Sequence, residues 1–404
     1  MQLVATAIHF DPADPATMRS PFDLYRALRD DDPVHHVDRP HSPEFWVLSR
    51  FTDVFAAARD TATFSSAQGL TYQGGDKEQL GLAPTIVMMD PPEHTTFRRL
   101  VSRGFTPRAV AEHEPAIRTF VIERIEAMLG EIRETGSADF IAGLASPLPS
   151  FVVATYLGVP EADRDRFDDW SSAIVAANAG GDVLADAREA VGSLYEYFTT
   201  LIERRRSEPG DDMISALVHA SIGDDPVSLL EILGYAFVMV AGGNDTATGL
   251  LGGAAELLTD NPVQRRLLID RPELIETSID EFLRMTSPVQ GLSRTTTREV
   301  TVHGTTIPAG SKVHLLYASA NRDPREFGPD AEALDVTRSV PRIMTFSSGP
   351  HFCLGASAAR LQGRVALEEL LRRIPDFVVD AEAGRYAPGS FIRRFESLPV
   401  TTAA

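Results

Sequence analysis

A chain of 404 residues with 43% hydrophobic and 24% charged side chains has the make-up of a soluble globular protein, which excludes global disorder, a collagen-like repeat and a membrane bundle. Its 38 Lys and Arg against 57 Asp and Glu leave a net charge of -19, and this opposes binding to nucleic acid, because neutralising phosphates takes clustered cations. The single cysteine, Cys353, excludes an intrachain disulfide, a Cys-rich zinc site and an iron–sulfur cluster held by this chain alone.

Residues 1–14 lack the basic start and apolar core of a secretory signal. The longest apolar run, 232–243, falls short of the roughly 20 residues that span a bilayer. No membrane anchor and a cytoplasmic location are therefore expected. Without an internal repeat or a Gly/Ser- or Pro-rich linker, one domain spanning 1–404 is the simplest organisation.

In chain order, Phe22, Leu24, Tyr25 and Leu28 carry helical spacing, and Phe45-Trp46-Val47-Leu48 reads as a strand. The stretch 65–89, with Leu70, Tyr72, Leu80, Leu82, Ile86 and Val87, reads as a long loop of the kind that forms lids or binding segments. Helical spacing resumes from Ile117 to Ile132, a second loop surrounds Gly180-Gly181 in 177–183, and a further helix runs through Val191, Leu194, Tyr195, Phe198 and Leu201. The stretch 228–260 is bounded by the capping pair Ser228 and Glu231 and by Asn261-Pro262, which predicts one helix of about 48 Å. Its middle, Gly242-Gly243-Asn244-Asp245-Thr246, breaks an apolar face, as either a functional groove or a close helix crossing through glycine would require. Beyond Ile275, Ile279, Phe282 and Leu283, strand signals in 300–302 and 312–317 surround His303-Gly304 and Pro308-Ala309-Gly310. The fold class is mainly α with a smaller β region.

Cys353 closes the stretch Phe346-Ser347-Ser348-Gly349-Pro350-His351-Phe352-Cys353-Leu354-Gly355, just before an amphipathic helix over 356–374. A helix N-terminus offers N–H groups and positive potential to a thiolate, and Gly349 and Gly355 would let a flat ligand approach the backbone. The stretch resembles the haem-ligand loop F-x-x-G-x-H-x-C-x-G of the cytochrome P-450 superfamily, with Phe346, Gly349, His351, Cys353 and Gly355 matching and Ser347 standing where the family commonly has Gly. Glu281-Phe282-Leu283-Arg284 resembles the family's buried E-x-x-R pair, and Gly242 to Thr246 its oxygen-binding groove, with Ala247 where a second Thr is frequent. Asp90-Pro91-Pro92-Glu93-His94 with Arg98 resembles the D-P-P-x-H-x-x-x-R segment of bacterial members.

The resemblance implies a P-450 fold with its long central helix over haem b (iron protoporphyrin IX), Cys353 as the axial iron ligand, and Glu281 with Arg284 bracing the Cys loop. It implies that His94, Arg98, Arg294 and His351 meet the haem propionates. Asp245 and Thr246 would be the acid–alcohol pair opposite Cys353, Thr246 offering a hydrogen bond above the iron and Asp245 connecting it to solvent. The reaction implied is insertion of one atom of dioxygen into a C–H or C=C bond, with release of the other as water. With no flavin or ferredoxin segment visible, NAD(P)H electrons would arrive through a ferredoxin and its reductase, docking on Arg98, Arg99, Arg103, Arg108, Arg342, Arg360 and Arg364. Leu70, Tyr72, Ile86, Val87, Val238, Ala241, Gly242, Val289, Gln290, Leu292, Phe391 and Ile392 would line a pocket for a hydrophobic small-molecule substrate such as a terpenoid, steroid, fatty acid or aromatic.

Three rival readings are distinguishable. A metal-dependent terpene cyclase would use Asn244, Asp245 and Thr248 as magnesium ligands, although the next expected position is Gly252. A thiol hydrolase would pair Cys353 with a His, and His351 is two residues away. A non-catalytic haem sensor would share the haem contacts without needing Asp245 and Thr246.

Overall fold

In the computed structural model the described residues are 8–39, 43–73, 85–176 and 183–402. Leu80, Leu82 and Gly180-Gly181 of the expected loops lie outside them. Strands β1 (Val34–Val37) and β2 (Phe45–Leu48) lead into helix α1 (Phe51–Arg59) and the short edge strand β3 (Phe64–Ser65). Helices α2 (Glu93–Val101), α3 (Glu114–Thr135), α4 (Pro147–Leu157) and α5 (Val183–Ser207) precede the long α6 (Leu229–Asp260), followed by α7 (Leu274–Thr286). Strands β4 (Leu292–Thr296) and β5 (Lys312–Leu315) complete a five-stranded sheet of order β1-β2-β5-β4-β3, and α8 (Ala356–Arg373) follows the Cys loop.

Helix α6 begins where the capping pair predicts. Ser228 accepts from the Glu231 N–H, and the Glu231 carboxylate accepts from the Ser228 N–H at 2.6 Å. Nineteen of its 32 residues are buried, so it runs through the core and packs on α4, α5, α7 and α8. The two glycines of its middle have different reasons. A Cβ on Gly243 would lie 2.7 Å from Val153 Cγ2 of α4, the close crossing, whereas one on Gly242 would meet nothing within 4 Å. Gly243→Ala is therefore expected to destabilise the fold by about 1–3 kcal/mol through overpacking. Gly242→Ala is expected to stabilise the helix by about 1 kcal/mol. Urea denaturation of the two variants checks the opposite signs.

The sheet sets the register of the site's strand residues. β5 runs parallel to β2, with Val313 opposite Trp46, and antiparallel to β4, with Val313 opposite Arg294. The strand expected over 312–317 ends at Leu315, because Tyr317–Ala320 turns into a short helix. Strands β1, β3 and β4 carry too few alternating residues to be seen in the sequence. Alternation exposes neither face cleanly where helices or the N-terminal segment cover both.

His314 on β5 lies against Phe10 and Phe45, with ring centroids 6.3 and 6.4 Å away, and its Nδ1 meets Ser293 Oγ at 3.2 Å. Burial pushes its pKa down to about 4. The unfolded chain takes up that proton near pH 6.5 and the folded chain resists it, so this stabilisation is complete above about pH 6.5 and is lost as pH falls toward 4, a change of about 3 kcal/mol. His314→Gln is expected to flatten that part of the stability profile, measured by denaturant midpoints from pH 7 to 4.5.

Candidate functional site

The Cys loop is a tight structure. Cys353 N–H donates to Phe346 O at 2.8 Å and Ser347 N–H to Met344 O at 2.8 Å, while the Phe346 and Phe352 rings meet edge-on at 6.1 Å. Gly349 has φ +70°, and a Cβ there would sit 3.0 Å from Arg59 Cα, so glycine is required by the packing of the loop on α1. Gly355 has room, with only Cys353 Sγ within reach at 4.0 Å. Ser347 occupies the left-handed region at φ 58°, with its hydroxyl 3.3 Å from Tyr317 Oη. A conformation usually given to glycine is thus held by a serine and a phenol.

The Cys353 side chain is accessible although protein surrounds it, as befits a residue lining an internal space. Burial raises its thiol pKa, and the Gly355 N–H, Arg98 and Arg360 pull the other way in favour of the thiolate. Arg360 also stacks over Phe346 at 4.7 Å and pairs with Asp280 at 2.7 Å, which fixes it beside the loop.

Next to the thiol the fold gathers His94 and Arg98 of α2, Arg294 of β4 and His351 of the loop. The His94 and His351 rings lie 4.3 Å apart, and Arg98 donates to Pro350 O at 3.2 Å. Arg294 is 2% exposed, and its guanidinium donates to Ser293 O at 2.8 Å. His94 is buried with Nδ1 unpartnered, and burial and Arg98 lower its pKa. Burial, Arg294 and His94 press His351 down to about 3, and its Nε2 lies 3.2 Å from Ser66 Oγ. Sequence reasoning missed the other side of that contact: Asp90 accepts from the Ser66 N–H at 2.9 Å and from the Ser65 hydroxyl. Two guanidinium groups and two imidazoles gathered in this way, with Asp90 as the carboxylate beside them, fit a dianionic edge such as two propionates. A planar ligand with that edge and an iron facing Cys353 suits this donor set.

On the mid-face of α6, Gly242 is exposed, Ala241, Gly243 and Thr246 are half-buried, and Asn244 and Asp245 are buried. Thr246 donates back to Gly242 O at 2.8 Å. Asp245 is buried and ion-paired with Arg394, so its carboxylate does not open directly on solvent as expected. Val238, Ala241, Ile86, Val87, Leu70, Val289, Leu292 and Phe391 are partly buried, and Ile392 is 7% exposed. The turn Ile86–Met88 packs on α6, and Val289 bridges Ile392. Two expected lining residues are committed elsewhere. Gln290 accepts from Tyr25 Oη at 2.9 Å and donates to Ser287 O at 2.7 Å, which braces the wall from behind. Tyr72 stacks against Phe45 at 4.7 Å in the N-terminal core.

Glu281 and Arg284 are both fully buried and joined by two bonds of 2.7 Å. Arg284 also donates to Asn321 O at 2.7 Å and Ala331 O at 2.6 Å. Asn321 then holds Met344 N and Thr345 Oγ1, at 2.6 and 2.8 Å, so the pair reaches the Cys loop through one intermediary.

Of the seven arginines expected to dock a partner, Arg342, Arg360 and Arg364 are paired with Glu326, Asp280 and Glu114, and Arg98 points inward. Arg99, Arg103 and Arg108 are exposed, and Phe352 beside the thiol is 40% exposed.

Two of the rival readings, the cyclase and the thiol hydrolase, lose their geometry. Thr248 donates to Ala145 O and Asn244 O, a Cβ at position 252 would meet Ile141, and among the described residues no group of three or more His, Cys, Asp and Glu could hold a metal ion. His351 turns its Nε2 to Ser66 Oγ at 3.2 Å, and burial with Arg294 makes it a weak base.

The family model described as Cytochrome P450 matches residues 180–375. The chain is 57% identical over 396 residues to Cytochrome P450 130 of Mycobacterium tuberculosis, covering 96% of this chain and 97% of that protein. The chain belongs to the cytochrome P450 family. It is also 37% identical to a vitamin D(3) 25-hydroxylase of Pseudonocardia autotrophica, over 95% of this chain and 94% of that one. The solved structure of the Bacillus subtilis polyketide synthase P450 PksS superposes with TM-score 0.87 at 32% identity, over 98% of this chain and 100% of that chain. The cytochrome P450 fold, mainly helical with smaller sheets, and the activity class of a haem-dependent monooxygenase follow. The family uses haem iron and dioxygen and generally takes its electrons from redox partners. Among the described residues no helix is long and apolar enough to cross a membrane.

Proposed function

We propose that this P450 is one catalytic unit over 1–404 that hydroxylates or epoxidises a small-to-medium hydrophobic substrate, a terpenoid, steroid, fatty acid or aromatic, in the cytoplasm. The observation that carries the site assignment is the cluster of buried His94 and Arg294 with half-buried Arg98 and His351, beside an accessible Cys353. Cys353 would ligate the iron of haem b, and the four cations and imidazoles would hold its propionates. The haem, when bound, supplies the redox chemistry that activates dioxygen.

The chain's own residues do the rest. Gly355 N–H, Arg98 and Arg360 hold Cys353 toward its thiolate form. Gly242 leaves open space over the site, and Thr246 keeps its hydroxyl on Gly242 O, poised to accept one hydrogen bond and to turn and give another. Asp245 is the proton reservoir next to it. The partly buried apolar residues from Ile86 to Ile392 exclude water and favour hydrocarbon over polar substrates.

NAD(P)H electrons would arrive through a ferredoxin and ferredoxin reductase at the face carrying Arg99, Arg103, Arg108 and Phe352. Changing the three arginines to Glu is expected to slow reduction by an acidic ferredoxin at least tenfold at low salt. Rates unchanged by these substitutions and by salt would move the docking face elsewhere.

The deciding experiment is the absorbance spectrum of the dithionite-reduced carbon monoxide complex. A strongly red-shifted Soret band, lost in Cys353→Ser, is expected. A band at the ordinary position in the unaltered protein would remove thiolate ligation by Cys353. No Soret band in fully haem-supplied protein would remove the haem site.

A further inference from the structure

The carboxylate of Asp245 is held by a residue 149 positions later, and the backbone explains how it gets there. Gly249 lies one turn after Asp245 on the same face of α6. A Cβ at Gly249 would sit 2.9 Å from both Arg393 O and Pro288 Cβ, so glycine lets the segment 391–394 lie directly on the helix. That segment is pinned there by Gln290 N–H to Phe391 O and Arg393 N–H to Pro288 O, each 2.7 Å, and by the Val289 to Ile392 bridge. Successive side chains of this segment then point apart, Arg393 to Met18 O, Arg19 O and the Tyr386 hydroxyl, and Arg394 to Asp245. The ion pair is largely shielded, the side chains being 15% and 5% exposed.

We propose that Arg394 is a positioning residue that holds Asp245 on the flank of α6, turned from the face where Thr246 lies, and that it must release the acid before a proton can pass. The inference rests on the reading of Asp245 as the proton reservoir. Since 391–394 also forms the substrate wall through Phe391 and Ile392, the wall and the acid are one mechanical unit. A ligand leaning on Ile392 moves the strand that carries Arg394. An opposite charge at contact distance in a shielded site is strong enough to fix a carboxylate, and losing it frees the side chain to rotate.

The test compares Arg394→Gln, Arg394→Lys, Asp245→Asn and the Arg394→Gln/Asp245→Asn double variant as haem-loaded full-length proteins. The first readout is the infrared C–O stretch of the reduced carbon monoxide complex, which reports the polarity above the iron without turnover. The second is the share of NADPH electrons released as hydrogen peroxide when a plant ferredoxin and its reductase supply them. Arg394→Gln is expected to broaden or split the C–O band and to change the peroxide share at least threefold. Arg394→Lys, which keeps the charge, should stay near the unaltered protein, and in the Asp245→Asn background Arg394→Gln should add nothing. An unmoved band and peroxide share in Arg394→Gln, or an equal effect with and without Asp245, would overturn the role of Arg394. If Asp245→Asn alone left both readouts unchanged, the reading of Asp245 would fall first. Should Arg394→Gln not load haem, Arg394→Met, which keeps the packed stem, takes its place.

Discussion

Arg284→Ala is expected to lower the stability of the folded chain by about 3–5 kcal/mol, the cost of leaving a fully buried carboxylate without its partner. Glu281 would keep only the Asp335 N–H at 3.1 Å and Arg338 at 3.3 Å. Three carbonyls, of Asn321, Ala331 and Ala333, would lose a donor as well. Since domains carry only about 5–15 kcal/mol in total, the loss is visible as a large fall in the urea midpoint. Lysine is not a substitute, because a point charge cannot bridge a carboxylate and the carbonyls in one plane. Replacing both Glu281 and Arg284 by Met removes the orphaned charge, and half or less of the loss should return, since the carbonyls stay unserved. Full recovery would mean that the pair stabilises by charge alone and does not brace the Cys loop.

Arg294→Leu is expected to act with opposite signs on the two forms of the protein. Without the cofactor, Arg294 is a buried cation whose guanidinium donates to Ser293 O, and a leucine there should stabilise the fold by about 1–3 kcal/mol. With it, a charge-assisted bond to a propionate disappears, and haem affinity should fall by about 2–5 kcal/mol, on the order of 30-fold to several thousandfold. Thermal melts of the haem-free protein and titration with haemin separate the two effects. Lower stability with unchanged haem affinity would mean that Arg294 serves strand β4 and not the cofactor.

The long helix and its boundaries were legible because capping chemistry is local: Ser228 and Glu231 answer each other within four residues. The Cys loop and the E-x-x-R pair were legible as motifs, since side chains close in sequence must share a face or a turn. What could not be read was long-range. Nothing around Asp245 announces Arg394, and the reason for Gly249 lies in the carbonyl of Arg393. Gln290 looks like a lining residue until Tyr25, 265 positions earlier, is seen to occupy its amide. The pairing of Arg360 and Arg364 was hidden for the same reason, since their carboxylate partners Asp280 and Glu114 lie far off in sequence. The two middle glycines of α6 were ambiguous because helix propensity is blind to what stands 3 Å away, and Val153 decides between them.

The cluster of two histidines and two arginines has a bearing on how the polypeptide comes off the ribosome. Its members stand at positions 94, 98, 294 and 351, and the acid at 245 is met by residue 394. Helix α2 therefore emerges carrying two groups whose companions are some 200 residues from being made. Until they arrive, nothing holds a porphyrin edge. On the proposed haem site, capture of the prosthetic group is expected only once residue 351 has been made, and contacts of such sequence separation form slowly. The nascent chain has to reach a near-native helical bundle on its own apolar packing, and a cell short of haem would accumulate folded, empty chains and not fragments stalled midway.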